Sequence, residues 1–260
     1  RYDIPDVFSV TSHPLGDALR GVSTDPGNPV NNLQDVENLQ VLVWTYPKTG
    51  TTSLAEAFQR SIDGTTQFKN VTHSHIINCW ERWHPTVIEN LKPLQFSFTM
   101  LIEYINSFNI KPLIVQSFRN PYKLTLSYYH AIDQHRMIPK APIFPCSKIP
   151  DLFQCTFDKD NGFGFQSGDR YDILYTNVES LSKLPHNIKT IDQLSEYHNL
   201  TIERRNIAHG KSHAQYDEFK KSYKWSSEQI DNIHKNYKQQ LEFYYTQNQI
   251  EQMKKQAMNE

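Results

Sequence analysis

The stretch TYPKTGTTS, from Thr45 to Ser53, contains the residue types that bind a phosphate group. It follows the apolar run VLVW and precedes LAEAFQRSI, whose apolar residues recur at helical spacing. A strand that leads through a glycine turn into a helix presents free backbone N–H groups, and the helix dipole strengthens their attraction for an anion. Lys48 adds a positive charge, and the hydroxyl side chains can donate further hydrogen bonds. We therefore predict a phosphate site at this strand–helix junction.

This loop differs from the Walker A motif of P-loop NTPases. That motif, G-x-x-x-x-G-K-[ST], has its lysine after the second glycine, whereas Lys48 comes before the single Gly50. The tighter loop is suited to one phosphate rather than to a triphosphate chain with magnesium. The alternative interpretation is a threonine-rich helix cap that binds no ligand.

A second segment with phosphate-binding residues is SFRNPYKLTLSYYH, from Ser117 to His130. Arg119 directly follows the apolar run of a predicted strand, and Ser127 lies about two turns into the helix that we predict next. Because ligands of open parallel sheets bind beyond the carboxyl ends of the strands, both side chains can contact a second phosphate. For Arg119 alone, the alternative is a surface salt bridge.

The two segments together resemble the sulfotransferases of the cytosol and the Golgi, which use PAPS (3′-phosphoadenosine 5′-phosphosulfate). That family has the motifs TYPKSGTT and RNP-x-x-x-x-x-SYYH in the same order. Elsewhere the match is slight, since Ser53 stands where the family usually has Trp and the C-terminal RKG-type loop is absent. The chain is therefore similar to a divergent member of the family.

The resemblance implies which residues bind the cofactor. Arg119 and Ser127 would bind the 3′-phosphate of PAPS, and the product would be 3′,5′-ADP. The 5′ end would be bound by the first segment, namely Lys48, Thr49, Gly50, Thr51 and Thr52, with Ser53 as a further contact.

Sulfuryl transfer requires a base, a group that stabilises the leaving phosphate, and an in-line arrangement of the reacting atoms. Lys48 would stabilise the leaving phosphate, and no metal ion is expected. His73 and His75 follow the second predicted strand in NVTHSHI, and an imidazole can accept a proton near neutral pH. The resemblance favours His73 through its Thr-His pair, and His75 through the H-x-H of some polysaccharide-modifying relatives.

Other assignments of these residues stay open. Glu56, on the helix after the first loop, is the alternative base. The two histidines can instead be structural, or can belong to a metal site, although no third ligand is apparent. The acceptor is expected to be a hydroxyl or amine group of a small molecule or a glycan. The alternative functions are a small P-loop kinase and a non-catalytic nucleotide-binding module with the same fold.

Strands that alternate with helices predict an α/β domain with a central parallel sheet and three layers. The resemblance makes this the P-loop-like sulfotransferase fold. We predict an irregular leader at 1–40, one domain at 41–260, and a long loop at 139–168, which is rich in Pro, Phe and Gly. YDILYT predicts a third strand. Ser226 and Gln229 form a capping-box pattern at the start of one long final helix.

Composition limits the classes of partner. The net charge of −1 provides no general attraction to nucleic acid or to a membrane surface. An apolar fraction of 38% is enough for a core, and no run is long enough to span a bilayer. Three cysteines are too few for a disulfide framework, although Cys146 and Cys155 can pair in a secretory protein. A cytoplasmic location is favoured, with the Golgi lumen as the alternative if an N-terminal segment has been removed.

Overall fold

The computed structural model describes residues 39–45, 49–65, 70–75, 106, 108–132, 155–203 and 213–259. Several sequence predictions fall on parts of the chain outside these residues. They concern the leader up to residue 38, Lys48, the side chains of His73 and His75, most of the helical segment that the sequence indicates before residue 106, and residues 139–154 of the predicted loop with Cys146.

The described strands form one five-stranded sheet in the order β2-β1-β3-β5-β4. The strands are β1 (Val41–Thr45), β2 (Val71–His75), β3 (Leu113–Phe118), β4 (Phe163–Ser167) and β5 (Asp172–Asn177). β2, β1, β3 and β5 run parallel, whereas β4 pairs with β5 antiparallel at the edge. The chain passes from β1 to a neighbour on one side and then to β3 on the other. The order of the strands therefore reverses between β1 and β3.

Helices in the described residues follow the strands and continue to the carboxyl end. Short 3₁₀ helices cover Val178–Lys183 and Asp192–Tyr197. The α-helices are α1 (Thr51–Asp63), α2 (Pro121–Ile132), α3 (Leu184–Ile188), α4 (His213–Ser222), α5 (Ser227–Asn236), α6 (Lys238–Tyr244) and α7 (Gln247–Asn259).

Two apolar clusters cover the two faces of the sheet. Alternate residues of β3 belong to different clusters, with Ile114 in one and Val115 in the other. Phe58 of α1 packs in the Val115 cluster, whereas Tyr122 of α2, Ile230 and Ile233 of α5, and Tyr244 of α6 pack in the Ile114 cluster. Burial of a side chain such as Phe58 contributes about 1.5–3 kcal/mol to the free energy of unfolding. The described chain is thus an α/β domain with helices on both faces of a mixed sheet.

The edge strand β4 corrects the prediction of an unstructured loop at 139–168. Residues 163–167 pair with β5 over their whole length, and Phe163 and Phe165 pack against the core. Gly164 allows this approach, since a Cβ atom there would lie 3.1 Å from the side chain of Phe157. Glycine lowers strand propensity, so the sequence alone favoured a loop. The sheet is consequently mixed rather than wholly parallel.

The final helical region has the predicted start but not the predicted continuity. Ser226 and Gln229 form both hydrogen bonds of a capping box, as the sequence predicts. Tyr237, with φ −106° and ψ 16°, ends α5, and the extended Tyr245 ends α6. The predicted pattern from Ser226 to Tyr244 therefore covers two helices, and α7 follows them. The apolar positions of the pattern are nevertheless all buried: Ile230, Ile233, Tyr237, Leu241 and Tyr244.

Two further predictions concern the thiol groups and the membrane. Cys155 is a free, half-buried thiol, and burial raises its pKa to about 11. Among the described residues, every helix is too short or too polar to cross a bilayer.

Candidate functional site

The first junction, between β1 and α1, depends on a glycine. Gly50 has φ 80° and ψ 18°, the left-handed conformation that other residues rarely adopt, and it is the N-cap residue of α1. A Cβ atom there would lie 3.2 Å from Cδ1 of Leu181. Gly50 has no side chain that could form a capping hydrogen bond, and the first turn of α1 contains no acidic residue. The amino end of α1 thus begins at a tight glycine turn whose N-cap residue supplies no side-chain cap.

Two hydroxyl contacts hold this turn to the sheet. The Thr45 and Thr51 hydroxyl groups are hydrogen-bonded to each other across the loop. Ser117 of β3 donates from its Oγ to the carbonyl oxygen of Thr49, at 2.9 Å, and both residues are buried. Thr49 and Thr51 are consequently hydrogen-bonded to β3 and to β1, respectively.

The second junction, between β3 and α2, has a side-chain cap of its own. The Oδ1 atom of Asn120 accepts hydrogen bonds from the backbone N–H of Tyr122, at 3.0 Å, and of Lys123, at 3.3 Å. Asn120 is 4% exposed. These bonds satisfy two of the N–H groups that a helix leaves open at its amino end. Arg119 is half-buried and precedes this cap.

A carboxylate from a distant part of the chain also contacts the second junction. The backbone N–H of Asn120 donates to both carboxylate oxygens of Glu179, at 3.3 and 3.4 Å. The hydroxyl of Tyr245 donates to Oε2 of Glu179 at 2.8 Å. Burial and the Glu179 carboxylate raise the pKa of Tyr245 well above its usual value, and the charge of Arg119 partly opposes this rise. Arg119 therefore acts electrostatically on the same pair.

The two junctions lie at the carboxyl ends of neighbouring strands. β1 and β3 are paired in parallel, and the strand order reverses between them. Thr49 and Thr51 are buried, whereas Thr52 and Ser53 are partly exposed in the first turn of α1. Ser127 is partly exposed on α2. The fold thus brings the segment 49–53 and Arg119 to one edge of the sheet.

The two candidate histidines lie within a strand rather than after it. His73 pairs with Val43, and His75, the last residue of β2, pairs with Thr45. The backbone of His75 is therefore level with the end of β1, and His73 is two residues further from that edge. Their side chains lie outside the described residues. Glu56, the alternative base, is buried in α1 with 8% of its surface exposed.

Four residues of this site, Ser117, Asn120, Glu179 and Tyr245, were not among the site residues that the sequence indicated. Ser117 belongs to an apolar strand, and Glu179 and Tyr245 are 59 or more positions distant from Asn120 along the chain. Only Asn120 had a local signal, because Asn before Pro is typical of a helix start. A contact between segments that are far apart in the chain produces no recognisable spacing of residues in a single sequence.

Comparisons with known proteins give one match. A family model, NKWYS, described as "Putative capsular polysaccharide synthesis protein", matches residues 148–245. The match covers less than half of the chain and includes Glu179 and Tyr245, but neither the 45–53 segment nor the 117–130 segment. No curated protein and no solved structure matches the chain significantly. Among the described residues, no group of three or more His, Cys, Asp and Glu side chains could hold a metal ion. The chain is similar in its second half to a family named for capsular polysaccharide synthesis.

Proposed function

We propose that the protein is a PAPS-dependent sulfotransferase that acts on a glycan hydroxyl group. The observation that carries this proposal is the position of the segments 45–53 and 117–130, whose residue types suit phosphate binding. They occur at the ends of β1 and β3, the neighbouring strands between which the strand order reverses. Crevices at such reversals are the usual ligand sites of open α/β sheets. The bond from Ser117 to the carbonyl of Thr49 joins the two segments directly.

The residues at the first junction suit the 5′ end of PAPS. A helix that begins at a left-handed glycine, without a side-chain cap, can direct its amino end at an anion. Thr52 and Ser53 are partly exposed there and can donate from their hydroxyl groups. The cofactor supplies an activated sulfuryl group when it is bound. Lys48, next to Thr49 in the sequence, would neutralise the negative charge that the leaving phosphate gains.

The second junction suits the 3′-phosphate in a different way. Asn120 already caps α2, so an anion would be held mainly by the side chains of Arg119 and Ser127. A guanidinium can bind a phosphate through two parallel hydrogen bonds. This arrangement would distinguish 3′,5′-ADP from nucleotides that lack the 3′-phosphate.

The proposed reaction moves one sulfuryl group between two oxygen atoms. The acceptor hydroxyl loses its proton to the base, its oxygen forms a bond to sulfur, and the bond from sulfur to the 5′-phosphate oxygen breaks. His75 is the base that we favour, because its backbone is level with the end of β1, with His73 and Glu56 as alternatives. The electron pair of the broken bond stays on the phosphate, where Lys48 stabilises it.

The family match favours a polysaccharide, or an oligosaccharide precursor of one, as the acceptor. Its description names capsular polysaccharide synthesis, and a sulfate ester on a sugar hydroxyl is a modification that such a pathway can include. A glycan therefore takes precedence over a small phenol or amine as the first substrate to test.

The deciding experiment combines calorimetry with a transfer assay. We expect the folded protein to bind 3′,5′-ADP without magnesium, and more tightly than ATP with magnesium. We also expect transfer of radiolabelled sulfate from PAPS to at least one oligosaccharide of a panel derived from capsular polysaccharides. Preference for magnesium–ATP would favour a kinase. Binding of 3′,5′-ADP without transfer to any acceptor would favour a non-catalytic module.

A further inference from the structure

We infer that Glu179 and Tyr245 are positioning residues that hold Arg119 in place to bind a 3′-phosphate. This inference rests on the proposed function, because it assigns a purpose to Arg119. It adds two residues that neither the sequence motifs nor the family match identify as part of a site.

The contact that carries the inference is made to the backbone directly after Arg119. Glu179 accepts the N–H of Asn120 with both carboxylate oxygens, at 3.3 and 3.4 Å. The Oδ1 atom of Asn120 is meanwhile occupied with the N–H groups of α2. The peptide N–H between Arg119 and Asn120 is therefore bonded to Glu179, and the side chain of Asn120 is bonded to the first turn of α2. The direction in which the Arg119 side chain leaves the backbone is set by this peptide.

Tyr245 holds the carboxylate in turn. Its hydroxyl donates to Oε2 of Glu179 at 2.8 Å, and the residue is 3% exposed. The ring packs at 6.2 Å from the ring of Phe118, the residue that precedes Arg119. Glu179 itself is exposed, so without this partner its side chain would lose a fixed rotamer. The buried tyrosine thus converts a mobile surface carboxylate into a fixed acceptor.

The charge of Glu179 and its hydrogen bonds should change the affinity for phosphate in opposite directions, so suitable variants can separate the two effects. A carboxylate close to a phosphate site repels the phosphate, so simple removal of the charge should strengthen binding. Removal of the acceptor atoms should weaken binding, because the N–H of Asn120 loses its bond to Glu179 and the turn at Arg119 is held less firmly. Glu179→Gln and Glu179→Ala lose the same charge, but only Gln keeps an acceptor oxygen of similar reach. The difference between these two variants therefore reports positioning alone.

The experiment measures the affinity of both variants for 3′,5′-ADP and for 5′-AMP by calorimetry. We expect Glu179→Ala to bind 3′,5′-ADP about five- to tenfold more weakly than Glu179→Gln, since one anchoring interaction is lost. The affinities for 5′-AMP should be equal, because this nucleotide lacks the phosphate that Arg119 would bind. Tyr245→Phe, which keeps the charge, should lower only the affinity for 3′,5′-ADP. Equal affinities of the two Glu179 variants for 3′,5′-ADP would overturn the inference.

Hydrogen exchange separates this inference from the proposed function. We expect faster amide exchange over residues 119–124 in Glu179→Ala than in Glu179→Gln, in protein without nucleotide. If the unmodified protein binds no 3′,5′-ADP while this difference is present, the anchor exists and the sulfotransferase proposal is wrong. If the exchange rates are the same, the anchor does not hold the turn and the inference is wrong.

Discussion

The β1–α1 and β3–α2 junctions both lead from a parallel strand into a helix, yet different residue types precede the two helices. α1 begins at Gly50 without a side-chain cap. α2 begins at Asn120, whose side chain accepts two backbone N–H groups. The N-cap residue of α1 thus has no side chain to offer its helix, whereas the side chain of Asn120 satisfies two backbone N–H groups of α2. An anion at the second junction must therefore depend on side chains.

The largest effect is expected from Lys48, which would act on the reaction itself. Lys48→Ala should lower the rate of sulfate transfer by about 100-fold or more, the usual cost of losing one group that stabilises developing charge. The measurement is transfer of radiolabelled sulfate from PAPS at saturating acceptor. Lys221→Ala, at an exposed position near the end of α4, is the matched control. An unchanged rate in Lys48→Ala would show that the first junction is not catalytic.

Arg119 should affect binding more than rate, because it would contact a phosphate that does not react. Arg119→Ala should weaken 3′,5′-ADP binding by about ten- to hundredfold, the value of a charged hydrogen-bonded contact. The affinity for 5′-AMP should change little. Arg170→Ala, at an exposed turn, serves as the control in the same calorimetric titration. Equal losses for the two nucleotides would mean that Arg119 does not read the 3′-phosphate.

The two glycines at the ends of α1 provide a matched test of the first junction. Gly50 and Gly64 have φ of 80° and 75°, but an added Cβ meets Leu181 only at Gly50. Replacement of either glycine by alanine should lower the free energy of unfolding by about 1–2 kcal/mol, as measured by urea denaturation. Only Gly50→Ala should also weaken binding of 3′,5′-ADP. A similar loss of binding in Gly64→Ala would trace the effect to stability rather than to the turn.

The smallest effect is expected at the bond that joins the two junctions. Ser117→Ala removes a buried hydroxyl donor and leaves the carbonyl of Thr49 without it, at a cost of about 1–2 kcal/mol in the free energy of unfolding. Ser222→Ala removes an exposed hydroxyl-to-carbonyl bond of the same length, 2.9 Å, and should cost less. Both values can be read from urea denaturation curves. Equal costs would show that the bond from Ser117 does not stabilise the loop.

The sequence predicted the elements whose side-chain pattern is local. Val41–Thr45 and Leu113–Phe118 are apolar runs of the length of a buried strand, and both are strands of the sheet. The capping box at Ser226 needs only residues three positions apart, and it is present. The edge strand β4 was missed because it is short and contains Gly164, which lowers strand propensity, and its pairing with β5 depends on tertiary contact. The break at Tyr237 was missed because a helical pattern continues through it.

By itself the sequence determined the α/β class and the order of the two strand–helix junctions at residues 41–63 and 113–132, because these depend on neighbouring residues and on the spacing of apolar positions. The tertiary structure decided that Ser117 bonds to the loop of Thr49 and that Glu179 and Tyr245 meet at Asn120. These contacts join strands and helices that are far apart in the chain. Their partners are chosen by strand order and packing, which no local pattern of side chains encodes.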